Sequence, residues 1–544
     1  MKNLFGEIFL SLGTDYLRDD LPLNVFMRYF GISYGEEMSE LGIYVSKDLM
    51  EILDSVDHFF HPHLVTTNVR GKRIDYVRIS REHREALSNL QKFGTVRTIA
   101  TTNSLMQHFL SSYVVSDSGI FCTITLTAQT LFALMKYGKD LERFTERYLD
   151  TNDPWYGGTF YTEVKGGSDL GSNETRAKKI LDTYFLNGDK KYFASNAGIA
   201  DGVIVTARMD DSTEGAKGIS TFFVPSTRDN GDLNFNIRRL KEKLGTSAVP
   251  TGEIEFNDSE AYLLGDRKLG IYIATEILCI SRIDDALTAC GIARKSLWEI
   301  YLYSTERKSF GKTLIKHPLF QRDLVEMSLD VEGALILSLY AATLFDHVSG
   351  ERYPYSADYH FARMICSMAK NIASDISIHV TGYCMELMGG IGFLEEFPMA
   401  RFHRDSLVTS IWEGTSNIQA LEFLETVIKK GTDKKLFSEL TRIASEIMDR
   451  EVREDFLRDV LDARKEMDTF ISDNEREYNC KYILSRISSL SASILLYHAS
   501  QYDGADYVKW MASIYHSMRV HHRSPSPDQI RMAVKSLEWM NRPI

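Results

Sequence analysis

The feature that most limits what this chain can fold into is a double change of hydrophobic period. From Leu21 to about Pro154, apolar residues recur every three and four positions, as in Glu82–Gln91, Thr95–Val114 and Leu126–Met135, which predicts helices. From Trp155-Tyr156-Gly157-Gly158 to about Leu264 the texture becomes short β-branched and aromatic runs separated by Gly, Asn and Asp. These are Gly158–Glu163, Thr183–Leu186, Gly202–Ala207, Ser220–Val224, Leu233–Leu240 and Glu253–Phe256, with Asn187-Gly188 predicting a hairpin turn. From Ile271 helical spacing returns in longer runs: Ile273–Tyr301, Leu319–Phe345, Asp358–Met388 and a fourth after Ser416. At 544 residues several cores are required. The expected fold class is α+β, mainly α. It comprises an N-terminal helical domain (1–155), a middle β-domain built as a barrel or sandwich (156–265), a four-helix bundle (266–432) and a C-terminal helical extension (433–544).

Composition narrows the function classes. The net charge of -12 argues against a general nucleic-acid binder. The tail from Asp433 carries 17 basic and 18 acidic side chains, and its one basic cluster, Arg519, His521, His522 and Arg523, reads as a solvated helical face. Six cysteines without a C-x-x-C pair read as buried thiols of a reducing compartment, so a cytoplasmic location is expected. No run of about 18 uncharged apolar residues stands out, so no membrane span is expected, and the N-terminus reads as mature protein. His58-Phe59-Phe60-His61-Pro62-His63 has histidines, but Pro62 breaks the helix that would align them; no metal site is expected.

Several stretches can carry chemistry. Ser410-Ile411-Trp412-Glu413-Gly414-Thr415-Ser416-Asn417-Ile418-Gln419 places a carboxylate just before a helix, with Ser416 and Gln419 in the form of a capping box. Glu413 there either complements the helix dipole or faces a ligand. Thr162-Glu163-Val164-Lys165-Gly166-Gly167-Ser168-Asp169 is a glycine-bearing turn with hydroxyls, suited to close approach of a flat or phosphorylated ligand and also to ordinary turn chemistry. Phe193 and Ser195, two apart, share one side of a strand, and an aromatic wall with a hydroxyl suits an isoalloxazine ring. Arg307 to Lys312 ends a long helix with a basic cluster that can clamp a pyrophosphate or compensate the dipole. Met388-Gly389-Gly390-Ile391-Gly392-Phe393 permits tight backbone approach.

The ordered succession Thr162–Asp169, Phe193–Asn196, Arg307–Lys312, Gly389–Phe393 and Arg404-Asp405…Glu413-Gly414-Thr415 resembles the acyl-CoA dehydrogenase family over about residues 80 to 430. Arg239-Leu240-Lys241-Glu242-Lys243-Leu244-Gly245, Ile411-Trp412-Glu413-Gly414 and the long tail look like its AidB-like, alkylation-response branch. The resemblance implies a homotetramer binding FAD, with Glu413 as the base that removes the α-proton of an acyl-CoA thioester while hydride leaves the β-carbon for flavin N5. It assigns Thr162, Ser168, Phe193 and Ser195 to the flavin ring, with Ser168 also on the CoA side. Arg307, Ser309 and Phe310 fall to a clamp from a neighbouring subunit, Gly390, Thr415 and Asn417 to the dinucleotide, and Arg282 to the substrate side. Ser281 stands where some relatives keep their base. Val164, Phe193, Ser195 and Glu386 depart from the usual proline, tryptophan, threonine and glutamine.

Three functions are compatible with that resemblance. The first is an FAD-dependent acyl-CoA dehydrogenase passing electrons to an electron-transfer flavoprotein-like acceptor. The second is an alkylation-response flavoprotein binding duplex DNA with weak dehydrogenase activity, which the neutral tail disfavours. The third is an acyl-CoA oxidase, differing in access of oxygen to the flavin.

Overall fold

A computed structural model describes residues 4–502 and 506–541. The chain divides into two compact units. One comprises residues 48–111 and 117–281; the other comprises 1–47, 112–116 and 282–544. The long helix Gly270–Glu306 is continuous across the boundary.

The first unit holds helices Met50–His58, Arg81–Lys92, Ser118–Tyr137 and Glu142–Leu149. Its N-terminal part is not wholly helical. Strands β1 (His63–Thr67) and β2 (Arg73–Arg78) pair as an antiparallel hairpin where helix was expected. Thr95–Val114 is interrupted too, because Asn103 turns left-handed (φ 54°) between Thr98–Thr102 and Met106–Val115.

Next come β3 (Gly157–Phe160), β4 (Arg176–Ile180), β5 (Thr183–Ser195), β6 (Gly202–Met209), β7 (Ile219–Pro225), β8 (Asn236–Leu240) and β9 (Thr251–Leu263). The order β3-β6-β4-β5-β9-β7 is closed by pairing of β7 back to β6, with β8 on β9, so the sheet curls into a barrel. Phe160, Val205, Phe222, Val224, Ile254 and Phe256 fill its interior. The predicted hairpin at Asn187-Gly188 is absent: both residues lie within continuous β5, where the pairing to β9 shifts register. The turn falls instead at Leu181-Asp182, between β4 and β5, with Leu181 left-handed (φ 55°).

The second unit is built on the part of Gly270–Glu306 from Arg282 onward, Pro318–Val348 and Ala357–Met388, followed by Pro398–Thr409 and the shorter Ser416–Lys430. The tail adds Thr432–Ser445, Arg450–Ser472, Arg476–Ala499, Asp506–Tyr515 and Pro527–Ser536. Tail and bundle are joined by buried charge. Arg294 is 1% exposed and lies 3.0 Å from Asp20 and 2.8 Å from Glu332, and Glu332 also accepts from Tyr507 at 2.8 Å. Arg519, expected on a solvated face, lies 2.6 Å from Asp330.

Two helices, Ser118–Tyr137 and Pro318–Val348, are long and apolar enough to cross a membrane by length and composition alone. Their most apolar windows are 89% and 83% buried within the protein, and that burial accounts for their composition.

In the β-unit one ion pair ties the Thr162–Asp169 turn to the barrel. Lys191 and Glu163, 0% and 1% exposed, are 3.0 Å apart. Glu163 also accepts from the Thr175 amide (3.1 Å) and hydroxyl (2.6 Å), while Lys191 donates to the carbonyls of Tyr161 and Thr206. Burial pushes the Lys191 ammonium down to about 8 against the pull of Glu163. Removing one partner of such a pair strands a buried charge, so Lys191→Met should cost about 3–5 kcal/mol. Chemical denaturation checks this, and Glu163→Gln added to Lys191→Met should recover part of the loss. Equal losses in the single and double variants would place the cost in packing.

Candidate functional site

Glu413 sits on the connection between Pro398–Thr409 and Ser416–Lys430, and it is half-buried. Its φ is 57° and that of Gly414 is 99°, two left-handed residues in succession. A non-glycine residue pays about 1–2 kcal/mol there. The donors on the two carbonyls outweigh that cost. Arg282 Nε donates to the Glu413 carbonyl at 3.0 Å and Lys370 Nζ to the Gly414 carbonyl at 2.9 Å. Gln419 Nε2 donates to both, at 3.1 and 3.0 Å. Hydrogen bonds from charged donors contribute about 1.5–3 kcal/mol each. The Trp412 indole N–H, bonded to Asp285, pins the residue before Glu413.

The expected capping box is therefore corrected. Thr415, not Ser416, is the N-cap residue, and it makes no side-chain capping bond. Gln419 is turned back onto the loop carbonyls, where it holds the left-handed pair rather than a helix amide.

Beneath the loop lie two buried charges. Lys370 and Asp285, 1% and 2% exposed, are 3.6 Å apart. Burial drives the Asp285 carboxyl up, against the pull of Lys370 and the Trp412 indole, and the Glu413 charge pushes it further. Burial drives the Lys370 ammonium down against the attraction of Asp285. Arg282, expected on the substrate side, is 5% exposed at its side chain and engaged with Glu422 at 2.5 Å as well as with the Glu413 carbonyl. It acts on the backbone of Glu413. Arg363 completes the group, 2.9 Å from Glu422.

Sequence reasoning missed Asp285, Lys370 and Glu422, and it gave Gln419 to the helix rather than to the loop carbonyls. The available signal was a lone lysine inside the apolar run Met364–Ala373, and an acidic pair, Asp284-Asp285, inside Ile277–Leu297.

Of the other expected residues of this unit, Ser309 is half-buried and the rest are exposed. Arg307 to Thr313 form a tight hairpin, Lys308–Ser309 against Lys312–Thr313, turned by left-handed Phe310 (φ 49°) and Gly311 (φ 82°). The helix ends before it, so the basic cluster projects on the hairpin, with Phe310 95% exposed at the tip. Gly390 lies in the 3-10 turn Gly389–Phe393 with open space where a side chain would stand. Thr415, Asn417 and Glu386 face solvent.

In the β-unit, Phe193 (52% exposed) and half-buried Ser195 alternate with buried Ala194 on β5, as their spacing predicts. Half-buried Thr162 accepts from the Tyr192 amide at 3.0 Å, so the turn runs beside this strand. Ser168 is exposed on its bend. Lys241 Nζ lies 3.3 Å from the Tyr192 ring centroid and 4.7 Å from that of Phe193, bracing the aromatic pair. An open aromatic face flanked by hydroxyls fits a flat, polar-edged ring system. Ser281 is buried and accepts from Gln129 Nε2 at 2.8 Å, and it offers no carboxylate at that position.

Comparison with known proteins points the same way. Residues 158–259 match the family model described as acyl-CoA dehydrogenase, middle domain, and residues 268–428 the one described as acyl-CoA dehydrogenase, C-terminal domain. The chain is 30% identical to acyl-CoA dehydrogenase family member 11 of Caenorhabditis elegans over 432 residues, 75% of this chain and 68% of that protein. It is 33% identical to AidB of Escherichia coli, the match covering 51% of this chain and 49% of that protein. The crystal structure of Caenorhabditis elegans ACDH-11 in complex with C11-CoA superposes with a TM-score of 0.81 over 97% of this chain and 95% of that one. At 23% identity that likeness speaks for the fold.

Burial alone would raise the Glu422 carboxyl, but the charges of Arg282 and Arg363 outweigh it and hold it at about 2, below its ordinary 4.5. A carboxyl lowered in the folded state contributes stability that is full above its ordinary value and lost as pH falls through the folded one. Glu422→Gln should therefore destabilise most near neutrality, by roughly 3 kcal/mol. In thermal melts the gap between wild type and variant should close between pH 4.5 and about 2. A gap that stays constant on acidification would assign the cost to shape alone.

Proposed function

Because this chain belongs to the acyl-CoA dehydrogenase family, we propose that it is an FAD-dependent oxidoreductase that desaturates an acyl-CoA thioester, with Glu413 as the base. The observation that carries the reading is the clamped, left-handed Glu413-Gly414 pair, which fixes one carboxylate at a defined point. A base must meet its proton at hydrogen-bond distance, so positional control is what the reaction asks of the loop. Glu413 takes the α-proton, and the α,β double bond forms as the β-hydrogen leaves with its electron pair. FAD, when bound, supplies the acceptor for that hydride.

In the β-unit the residues that would hold the flavin are Thr162, Ser168, Phe193 and Ser195. In the helical unit they are Gly390, Thr415 and Asn417. Arg307, Ser309 and Phe310 would reach the cofactor of a neighbouring subunit in a homotetramer, which gives the exposed Phe310 tip something to cover it. The electrons would pass on to an electron-transfer flavoprotein-like carrier.

Anaerobic mixing with a panel of acyl-CoA thioesters should bleach the visible flavin band. Glu413→Gln should retain FAD and slow bleaching by roughly 10²–10⁴-fold, the usual contribution of a general base. Undiminished bleaching in that variant would remove Glu413 from the chemistry. Turnover with an artificial acceptor but not with oxygen should separate a dehydrogenase from an oxidase.

A further inference from the structure

The C-terminal extension brings three metal-ligating side chains together. Helix Asp506–Tyr515 runs into a π turn, His516–Val520, and the His521 amide donates to the His516 carbonyl at 3.3 Å, an i to i+5 bond. In an α-helix, residues five apart point about 140° away from each other. The wider turn places both rings on one side, and such insertions recur at functional sites. The two Nε2 atoms are 3.1 Å apart.

Asp459, on helix Arg450–Ser472, completes the triangle. Its Oδ2 lies 3.2 Å from His516 Nε2 and 3.3 Å from His521 Nε2. That oxygen is shielded from solvent yet accepts no well-directed hydrogen bond from either ring. Three atoms about 2.0–2.1 Å from a tetrahedral ion stand roughly 3.3 Å from one another, which is the size of this triangle. The close approach of two imidazole Nε2 atoms and a carboxylate is relieved either by a proton between the rings or by a cation among all three, and imidazole with carboxylate is a donor set that suits Zn²⁺.

The surroundings suit a ligand set. Ser493 Oγ is 3.0 Å from His516 Nδ1, an outer partner that fixes which nitrogen of the ring faces inward. The Phe456 ring packs 4.2 Å from the His516 ring. The side chains of His516, Asp459 and His521 are 15%, 14% and 30% exposed, so an ion there keeps one face open to water. Among the described residues this is the one such grouping of His, Cys, Asp and Glu. His58 and His61 of the earlier histidine-rich stretch bond instead to the carbonyls of Asp54 and Asp57.

We propose that Asp459, His516 and His521 bind one Zn²⁺ ion, with water in the fourth position, and that the ion staples the end of the extension to helix Arg450–Ser472. This replaces the reading of His521 as part of a solvated face, and with it the expectation of no metal.

The test uses the full-length protein, stripped with a chelator and titrated with ZnCl₂ by calorimetry and with CoCl₂ by visible spectroscopy. The expected result is saturable binding of about one equivalent per chain, tetrahedral Co²⁺ bands, and a raised melting temperature. Asp459→Asn and His521→Ala should each weaken binding by tenfold or more while melting as the stripped wild type does. His61→Ala with His63→Ala should leave it unchanged. Absence of saturable binding in the wild type, or equal binding in Asp459→Asn and His521→Ala, would overturn the proposal. The wild-type titration decides on its own if a variant fails to fold.

Discussion

Two consecutive left-handed residues, Glu413 and Gly414, do not hold themselves, and the helical unit is arranged to hold them. Gly414 tolerates its φ because it has no Cβ, but Glu413 does not. The restraint comes from three helices at once: Arg282 on Gly270–Glu306, Lys370 on Ala357–Met388 and Gln419 on Ser416–Lys430. Each donor reaches a backbone carbonyl. Buried donors of this kind need counter-charges, and Glu422 and Asp285 supply them.

The same solution recurs elsewhere. Glu163 and Lys191 tie a glycine-bearing turn to the barrel, Arg294 ties the N-terminal segment at Asp20 to the bundle at Glu332, and Tyr507 of the extension donates to the same Glu332. Buried ion pairs contribute little net stability against apolar replacements, yet breaking one partner is costly. They therefore serve here to fix geometry, and each sits at a joint between elements that a purely apolar contact would leave free to slide.

Much of the architecture was legible because period and length carry it. The barrel strands other than β4 show β-branched or aromatic runs, and the bundle helices show long three-and-four spacing. β4 was missed because Arg176-Ala177-Lys178-Lys179-Ile180 is charged, with only Ala177 buried in the barrel. Asn187-Gly188 misled because a strong turn dipeptide was absorbed as an irregularity inside a long strand, where tertiary pairing overrode local preference. Glu413 in the helical unit, and Phe193 and Ser195 in the β-unit, could be singled out by residue type and spacing. The supports could not, since Lys370, Asp285 and Glu422 lie 43, 128 and 9 residues from Glu413, and no local pattern links positions that only helix packing brings together. Arg282, which the resemblance placed on the substrate side, likewise has a partner that no local pattern could show, a backbone atom 131 positions away.

The central claim is that this clamped loop presents Glu413 as the group that removes the α-proton. Exchange of the α-hydrogen of a bound acyl-CoA with D₂O, followed by proton NMR, reads that step directly and without electron transfer. The account predicts exchange catalysed by the wild type, lost in Glu413→Gln, and slowed by roughly tenfold or more in Lys370→Met, where the carboxylate remains but its loop is loosened. Exchange at the wild-type rate in Glu413→Gln would contradict it.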